Sequence, residues 1–230
     1  MSRDYQKLKA LEDFRVLDAP QLLPCPPPPL PPTEEQMILR MLVRPKYGPF
    51  HIPPSLAWLE DTIRDMAALD HSLTGIGHSW CYVTVRHGPV TTKTDDEWHF
   101  DGASFRTTLI PERNYVWVDH TPFQYKLGAV EFPHDFDPNK HNLFTYADQV
   151  TKDSPIFTTW ARSWYLINPF CLHRRDPNTP KDRPRTFIRI SFPDIEGRDV
   201  NNTHNPLLPT PAWGRDPVRD FRNQLKDYDA

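Results

Sequence analysis

From Ser79 the chain alternates between two sides of an extended run. Trp80, Tyr82, Thr84 and Arg86 fall on one side, and Cys81, Val83, Val85 and His87 on the other. A period of two predicts a β-strand, and His87-Gly88-Pro89 predicts the turn that ends it. The pattern returns in Asn114–His120, with Val116 and Val118 set against Tyr115, Trp117 and Asp119. Ser104–Ile110, Ile156–Trp160 and Ser163–Asn168 read as further strands. The last is Arg185–Phe192, where Arg185, Phe187, Arg189 and Ser191 share one face and Thr186, Ile188, Ile190 and Phe192 the other.

Elsewhere the spacing is helical. Tyr5, Leu8, Leu11 and Phe14 predict a short helix within residues 1–18. Thr33-Glu34-Glu35-Gln36 matches a capping box and predicts a helix over 34–44, with Met37 and Ile38 stacked on Met41 and Leu42. Pro53-Pro54-Ser55 opens another to about Leu69, carrying Leu56, Leu59, Ile63 and Met66 on one face. A short helix is expected near Asn142–Val150 inside an otherwise loop-rich insertion at 121–153. Asp216-Pro217 caps a last one, with Val218, Phe221 and Leu225 as its apolar face. Short strands with turns between them and helices in front predict a mainly β, α+β fold with a jelly-roll core.

At 230 residues the chain fits one domain with extensions. We divide it into an N-terminal helix and polyproline strap (1–32), a jelly-roll domain with buttressing helices (33–193) and a C-terminal extension (194–230). Proline is the outlier, with 27 against 8 Gly, which favours rigid connections over long helices. Its densest run, at 24–32, reads either as a ligand for a proline-binding partner or as a stiff strap across the fold, and the strap is the preferred reading. A net charge of −3 without a strong basic block argues against a nucleic-acid surface. Three widely spaced Cys argue against a disulfide framework. The chain shows no secretory signal and no apolar run near the roughly 20 residues of a membrane span, so a cytoplasmic setting is expected.

The candidate chemistry lies in Glu97-Trp98-His99-Phe100-Asp101-Gly102. In a strand, His99 and Asp101 point to the same face, so an imidazole and a carboxylate can meet one metal ion. A His-x-acid pair is weak alone; with 10 His and 30 acidic residues among 230, about one arises by chance. His173 supplies a second imidazole, and two His plus one carboxylate make the facial triad of non-haem Fe(II) oxygenases. On spacing alone His120 or His134 could replace His173, but neither is closely followed by an arginine-bearing strand. An Arg facing into a barrel is costly unless it meets an anion, and its planar fork matches a carboxylate.

In His99-Phe100-Asp101, then His173, then Arg189-Ile190-Ser191, over roughly residues 78–193, the chain resembles the Fe(II)/2-oxoglutarate-dependent dioxygenases. The resemblance implies a double-stranded β-helix and makes His99, Asp101 and His173 the ligands of Fe(II). It implies that Arg189, helped by Ser191, holds the far carboxylate of the co-substrate 2-oxoglutarate, with Arg185 and then Arg183 as substitutes. O2 is the other co-substrate, and the expected outcome is hydroxylation of a substrate with release of succinate and carbon dioxide.

Aromatic and cationic residues in the neighbouring strands, Trp80, Tyr82, Arg86, Trp98, Arg106 and Trp117, are the substrate-contact candidates. About half should face away or fill core, because strands alternate. Arg86 and Arg106 would suit an anionic substrate. Two other readings stand beside the oxygenase. One is a cupin-like jelly-roll metalloprotein, an isomerase or hydrolase that does not use 2-oxoglutarate. The other is a non-enzymatic interaction protein working through its polyproline strap and tail.

Overall fold

The computed structural model describes residues 20–77, 79–89, 96–99, 112–127, 133, 135–136, 140–167, 171–178, 183–193, 196–197 and 201–210. Along them run β1 (Gln21–Leu23), β2 (Gln36–Arg44), a 3-10 helix (Pro54–Leu59) continuing into α1 (Glu60–Thr74), β3 (Cys81–Gly88), β4 (Glu112–Val118), β5 (Phe123–Lys126), α2 (Leu143–Val150), β6 (Ile156–Thr158), β7 (Trp164–Ile167), β8 (His173–Arg175) and β9 (Arg185–Pro193). The strands pair antiparallel in two sheets, one in the order β1-β7-β4-β9-β3-β2 and one in the order β6-β5-β8. The fold is therefore mainly β with a few helices. The helix expected within 1–18, the strand at Ser104–Ile110 and the helix after Asp216 lie outside the described residues.

β9 runs between β4 and β3, and its alternation separates two cores. Ile188, Ile190 and Phe192 face α1 and pack with Leu56, Leu59, Ile63, Met66, Val83, Val85, Tyr115 and Trp117. Phe187, on the other face, packs with Val116, Val118, Tyr165 and Ile167 of the same sheet and with Phe123 and Tyr125 of the smaller one. Full burial of one such side chain contributes about 1.5–3 kcal/mol. The larger core lies on the α1 side, which leaves the face toward the smaller sheet able to carry charged groups.

A buried polar cluster ties α1 to the large sheet. Asp70 is 1% exposed; its carboxylate accepts from Arg113 Nε at 2.7 Å and from Tyr115 OH at 3.0 Å. The helix ends where Gly75 adopts φ 71°, a left-handed conformation that suits a residue without a Cβ.

Residues 34–44 do not form the helix that the capping box predicts; from Gln36 to Arg44 they are β2. The strand contains an irregularity between Ile38 and Met41, where Arg40 takes φ 46°. The extra residue resets the alternation, so the buried positions are Ile38, Met41 and Val43. A bulged strand thus imitates helical spacing. The next expectation holds: the helix read from Pro53 is present as the 3-10 turn and α1, and extends beyond Leu69 to Thr74. α2 is also present, with Asn142 Oδ1 accepting from Phe144 N at 3.0 Å as its cap.

The proline-rich run behaves as a strap. Cys25 is half-buried and Pro28 and Pro31 are buried, while Pro24, Pro26, Pro27, Pro29 and Leu30 are exposed. Burial every third residue is the period of a polyproline helix laid on a surface. Trp164 Nε1 donates to the Pro26 carbonyl at 3.0 Å, fixing the strap to β7. Cys25, Cys81 and Cys171 are all free thiols, and burial pushes the Cys81 thiol up to about 12, as befits a small apolar core residue. Among the described residues no helix is long and apolar enough to cross a membrane.

Candidate functional site

The two sheets leave between them a small pocket of about 40 Å³, lined by Arg86, Val116, Ile167, Arg185, Phe187 and Arg189 from the larger sheet and by His99, Phe123, Tyr125 and His173 from the other side. Register explains this membership. Arg86 stands opposite Phe187, and Val116 opposite Arg189, so these side chains share one face of the sheet. On β5, Phe123 and Tyr125 line the pocket, while Gln124 and Lys126 take the other face, where Lys126 is buried.

His99 and His173 meet in an antiparallel bridge. Their ring centroids lie 4.5 Å apart at an interplanar angle of 51°. His99 Nδ1 is 2.7 Å from the Glu97 carbonyl and His173 Nδ1 is 2.8 Å from the Cys171 carbonyl. A carbonyl can only accept, so each Nδ1 carries a proton and Nε2 is the nitrogen left to face the pocket. Holding Nδ1 in this way is how ligating imidazoles are oriented. Two imidazoles bound at a right angle to one ion, with metal–nitrogen bonds near 2.1 Å, place their centroids about 4.6 Å apart. The observed centroid separation is close to that value. Asp101, the third member of the expected triad, lies outside the described residues, as does the alternative His134. Among the described residues no three His, Cys, Asp or Glu gather into a metal cluster.

His173 is 3% exposed. Its ring stacks on Tyr125 at 5.4 Å and meets the edge of Phe123 at 5.9 Å. His99 is held from its flanks. Asp96 accepts from the buried Arg175, with Arg175 Nη2 at 2.5 Å. The Trp98 ring lies between Lys126 Nζ at 4.9 Å and the Arg174 guanidinium at 4.4 Å. Lys126 is in turn paired with Asp148 of α2.

The arginines of β9 divide by burial. Arg185 is 6% exposed, with its guanidinium 5.1 Å from the Phe123 ring and 5.5 Å from the Phe187 ring. Arg189 is half-buried, and its charge reaches Glu112. Burial pushes the Glu112 carboxyl up, but Arg40, bonded to it at 2.6 and 3.1 Å, outweighs that with help from Arg189 and Ser191 and holds it below the usual carboxylate range. Ser191 does not line the pocket; its hydroxyl donates to Asn114 Oδ1 at 2.6 Å. Arg183 is exposed in the loop before β9.

Of the substrate-contact candidates among the described residues, only Arg86 lines the pocket. Trp117 sits on the opposite face of β4 beside Ile188 and belongs to the α1-side core. Trp98, between Lys126 and Arg174, lies on the outer face of the smaller sheet. Tyr82 is 1% exposed, and its hydroxyl accepts from Gly197 N at 2.8 Å. Trp80 is half-buried ahead of β3, outside the pocket wall. Arg106 lies outside the described residues. His120 follows β4 with Nδ1 3.0 Å from Asp119 Oδ1 and is not part of the pocket wall. Phe123 and Tyr125, which frame His173, were hidden in a segment read as loop; the signal was the short alternation of Phe123 and Tyr125 with Gln124 and Lys126.

No protein-family model and no curated protein matches the chain. Among solved structures it is similar to the crystal structure of AviO1 from Streptomyces viridochromogenes Tue57, with 14% identity and a TM-score of 0.37, covering 77% of this chain and 78% of that one. Similarity at that level assigns neither fold nor activity.

Proposed function

We propose that this protein is a non-haem Fe(II)- and 2-oxoglutarate-dependent oxygenase built on a double-stranded β-helix. The observation that carries the reading is the His99–His173 pair, 4.5 Å apart with both Nδ1 atoms tied to carbonyls, facing a pocket whose other wall bears Arg185 and Arg189. His99 and His173 would hold the metal through Nε2, with Asp101, two residues after His99 in the sequence, as the anionic ligand. Bound there, Fe(II) would supply oxidation of a substrate C–H bond by O2, coupled to conversion of 2-oxoglutarate to succinate and carbon dioxide.

The chain's own contribution is positioning and exclusion of water. Glu97 and Cys171 carbonyls fix the imidazole tautomers. Phe123, Tyr125, Phe187, Val116 and Ile167 give the pocket apolar walls, where a charge-assisted pair is stronger than in water. Arg189 is the residue assigned to the far carboxylate of 2-oxoglutarate, and Arg185, four residues earlier on the same face, is its alternative.

The test is anaerobic addition of Fe(II) and 2-oxoglutarate, followed by visible spectroscopy for the weak charge-transfer band of the chelate. The expected result is a band that needs both components and is lost in His99→Ala. A folded, metal-loaded protein with no such band would overturn the reading in favour of a metalloprotein that does not use 2-oxoglutarate.

A further inference from the structure

Bracing the fold occupies one side of the proline run and leaves the rest of it facing outward. A polyproline helix repeats every three residues and so has three edges. Cys25, Pro28 and Pro31 form the edge laid on the fold, half-buried or buried. Pro24, Pro27 and Leu30 form a second edge, and Pro26, Pro29 and Pro32 a third. All six of these residues are exposed, Leu30 at 59%. The run is held at both ends. Leu23 pairs with Trp164 in the sheet, and Trp164 Nε1 donates to the Pro26 carbonyl at 3.0 Å. At the far end Gln36 opens β2 opposite His87, and its Nε2 donates to the Ser55 carbonyl at 2.7 Å. Between these clamps the proline rings fix φ.

The outward edges have the spacing that proline-recognition domains read. Pro24 and Pro27, Pro26 and Pro29, and Pro29 and Pro32 are three proline pairs at a separation of three, exposed at both members. Aromatic-lined grooves take such pairs from a preformed polyproline helix. A groove can hold two of the three edges at once, and here two are offered while the third is occupied by the fold. Charge narrows the choice of groove. The sequence has no Lys or Arg from Val16 to Leu39, and the exposed Glu34 and Glu35 follow the run. An acidic rim would meet these two carboxylates with like charge, whereas a non-acidic rim accepts them.

We propose that the strap is also a docking ridge, whose two outward edges seat in the aromatic-lined, non-acidic groove of a proline-recognition domain of the WW type. Pro24, Pro27 and Leu30 fill one side of that groove, and Pro26, Pro29 and Pro32 the other. Indole and phenol groups of the groove donate to carbonyls of the run. The fold presents the ridge already ordered, so docking does not have to immobilise the chain. The docked domain rests on the β1 side of the large sheet. This surface is independent of the His99–His173 pair and of the chemistry assigned to it.

The experiment titrates the full chain calorimetrically into a panel of purified WW domains, with acidic-rimmed SH3 domains as the comparison. A free peptide of residues 20–35 is run beside it. Two paired variants of the full chain follow, Pro27→Ala with Leu30→Ala and Pro26→Ala with Pro29→Ala. These positions are exposed, so thermal unfolding should change little. The expected result is a WW domain that binds the full chain at least threefold tighter than the free peptide and at least tenfold tighter than the SH3 domains do. Each paired variant should lose at least tenfold. A peptide that binds while the full chain does not overturns the proposal, because the edges are then covered in the fold. Binding that survives a folded paired variant, a stronger SH3 response, or no WW binding of either chain or peptide also overturns it. If one paired variant does not fold, the other decides.

Discussion

His99 and His173 exchange both backbone hydrogen bonds, His99 N to the His173 carbonyl at 2.9 Å and His173 N to the His99 carbonyl at 3.0 Å. The main chain alone brings the two imidazoles together. Truncating either side chain therefore leaves the bridge in place and removes only the ligand. His99→Ala should lower metal affinity at least 100-fold with little change in melting temperature. His173→Ala should do the same and also cost about 1–3 kcal/mol, because it empties a space between Tyr125 and Phe123. Metal titration and thermal unfolding of both variants check this; wild-type metal affinity in His99→Ala would exclude the pair as the site.

Asp101→Ala removes the anionic ligand of the proposed triad. Turnover of 2-oxoglutarate to succinate should disappear while the fold persists. Undiminished succinate formation would move the carboxylate role to another acidic residue.

Arg189→Ala should weaken 2-oxoglutarate binding by about 2–3 kcal/mol, the loss of one charge-assisted pair in a shielded pocket. Calorimetry on the metal-loaded protein reads this directly. An unchanged affinity in Arg189→Ala, with a loss in Arg185→Ala, would transfer the role to the more deeply buried arginine.

Asp96 and Arg175 hold the start of the His99 segment, and the Arg175 side chain is 2% exposed. Asp96→Asn leaves a buried guanidinium without its carboxylate, so stability should fall by about 3 kcal/mol. Metal affinity should fall with it, since the segment bearing His99 loosens. Trp98→Leu removes the ring between Lys126 and Arg174 and should weaken metal binding with a smaller loss of stability, and Trp98→Phe should restore part of both. A metal affinity that does not change in Trp98→Leu would confine the tryptophan to packing.

Glu112 sets an acid limit. Its carboxyl, held below 4.5 by Arg40 against the opposing effect of burial, binds a proton more readily in the unfolded chain. The stability it contributes is full above about pH 4.5 and is lost as pH falls through the lower folded value. Glu112→Gln should be about 2 kcal/mol less stable at pH 7, and the gap from wild type should close toward pH 3. Urea unfolding at a series of pH values measures it, and a gap that widens on acidification would contradict the assignment.

The central strand was the most legible part of the fold. β9 keeps unbroken alternation because one of its faces meets the α1 core and the other the pocket, and both demands act at every position. β2 was misread because its bulge at Arg40 puts two residues, not one, between the buried Ile38 and Met41. β8 is three residues long and β5 four, too short for a period to emerge from the turns around them. At the site, alternation places Trp117 and Val116 on opposite faces of β4 but does not say which face the pocket uses. That choice depends on the partner strands, where Val116 meets Arg189 and Trp117 meets Ile188. The clamp on the His99 segment joins residues as distant in sequence as Asp96 and Arg175, and no local pattern encodes it.

The strap of prolines has a consequence for how this protein behaves in a crowd of its own copies. The outermost strand on its side of the large sheet is β1, only three residues long and bounded by Pro20 and Pro24, which have no N–H to offer a newcomer. The opposite border is β2, broken in register at two places. Neither border presents the long, flat ladder on which another chain could build. The sheet is closed to growth at both ends, and aggregation by strand addition is discouraged by the same residues that brace the fold.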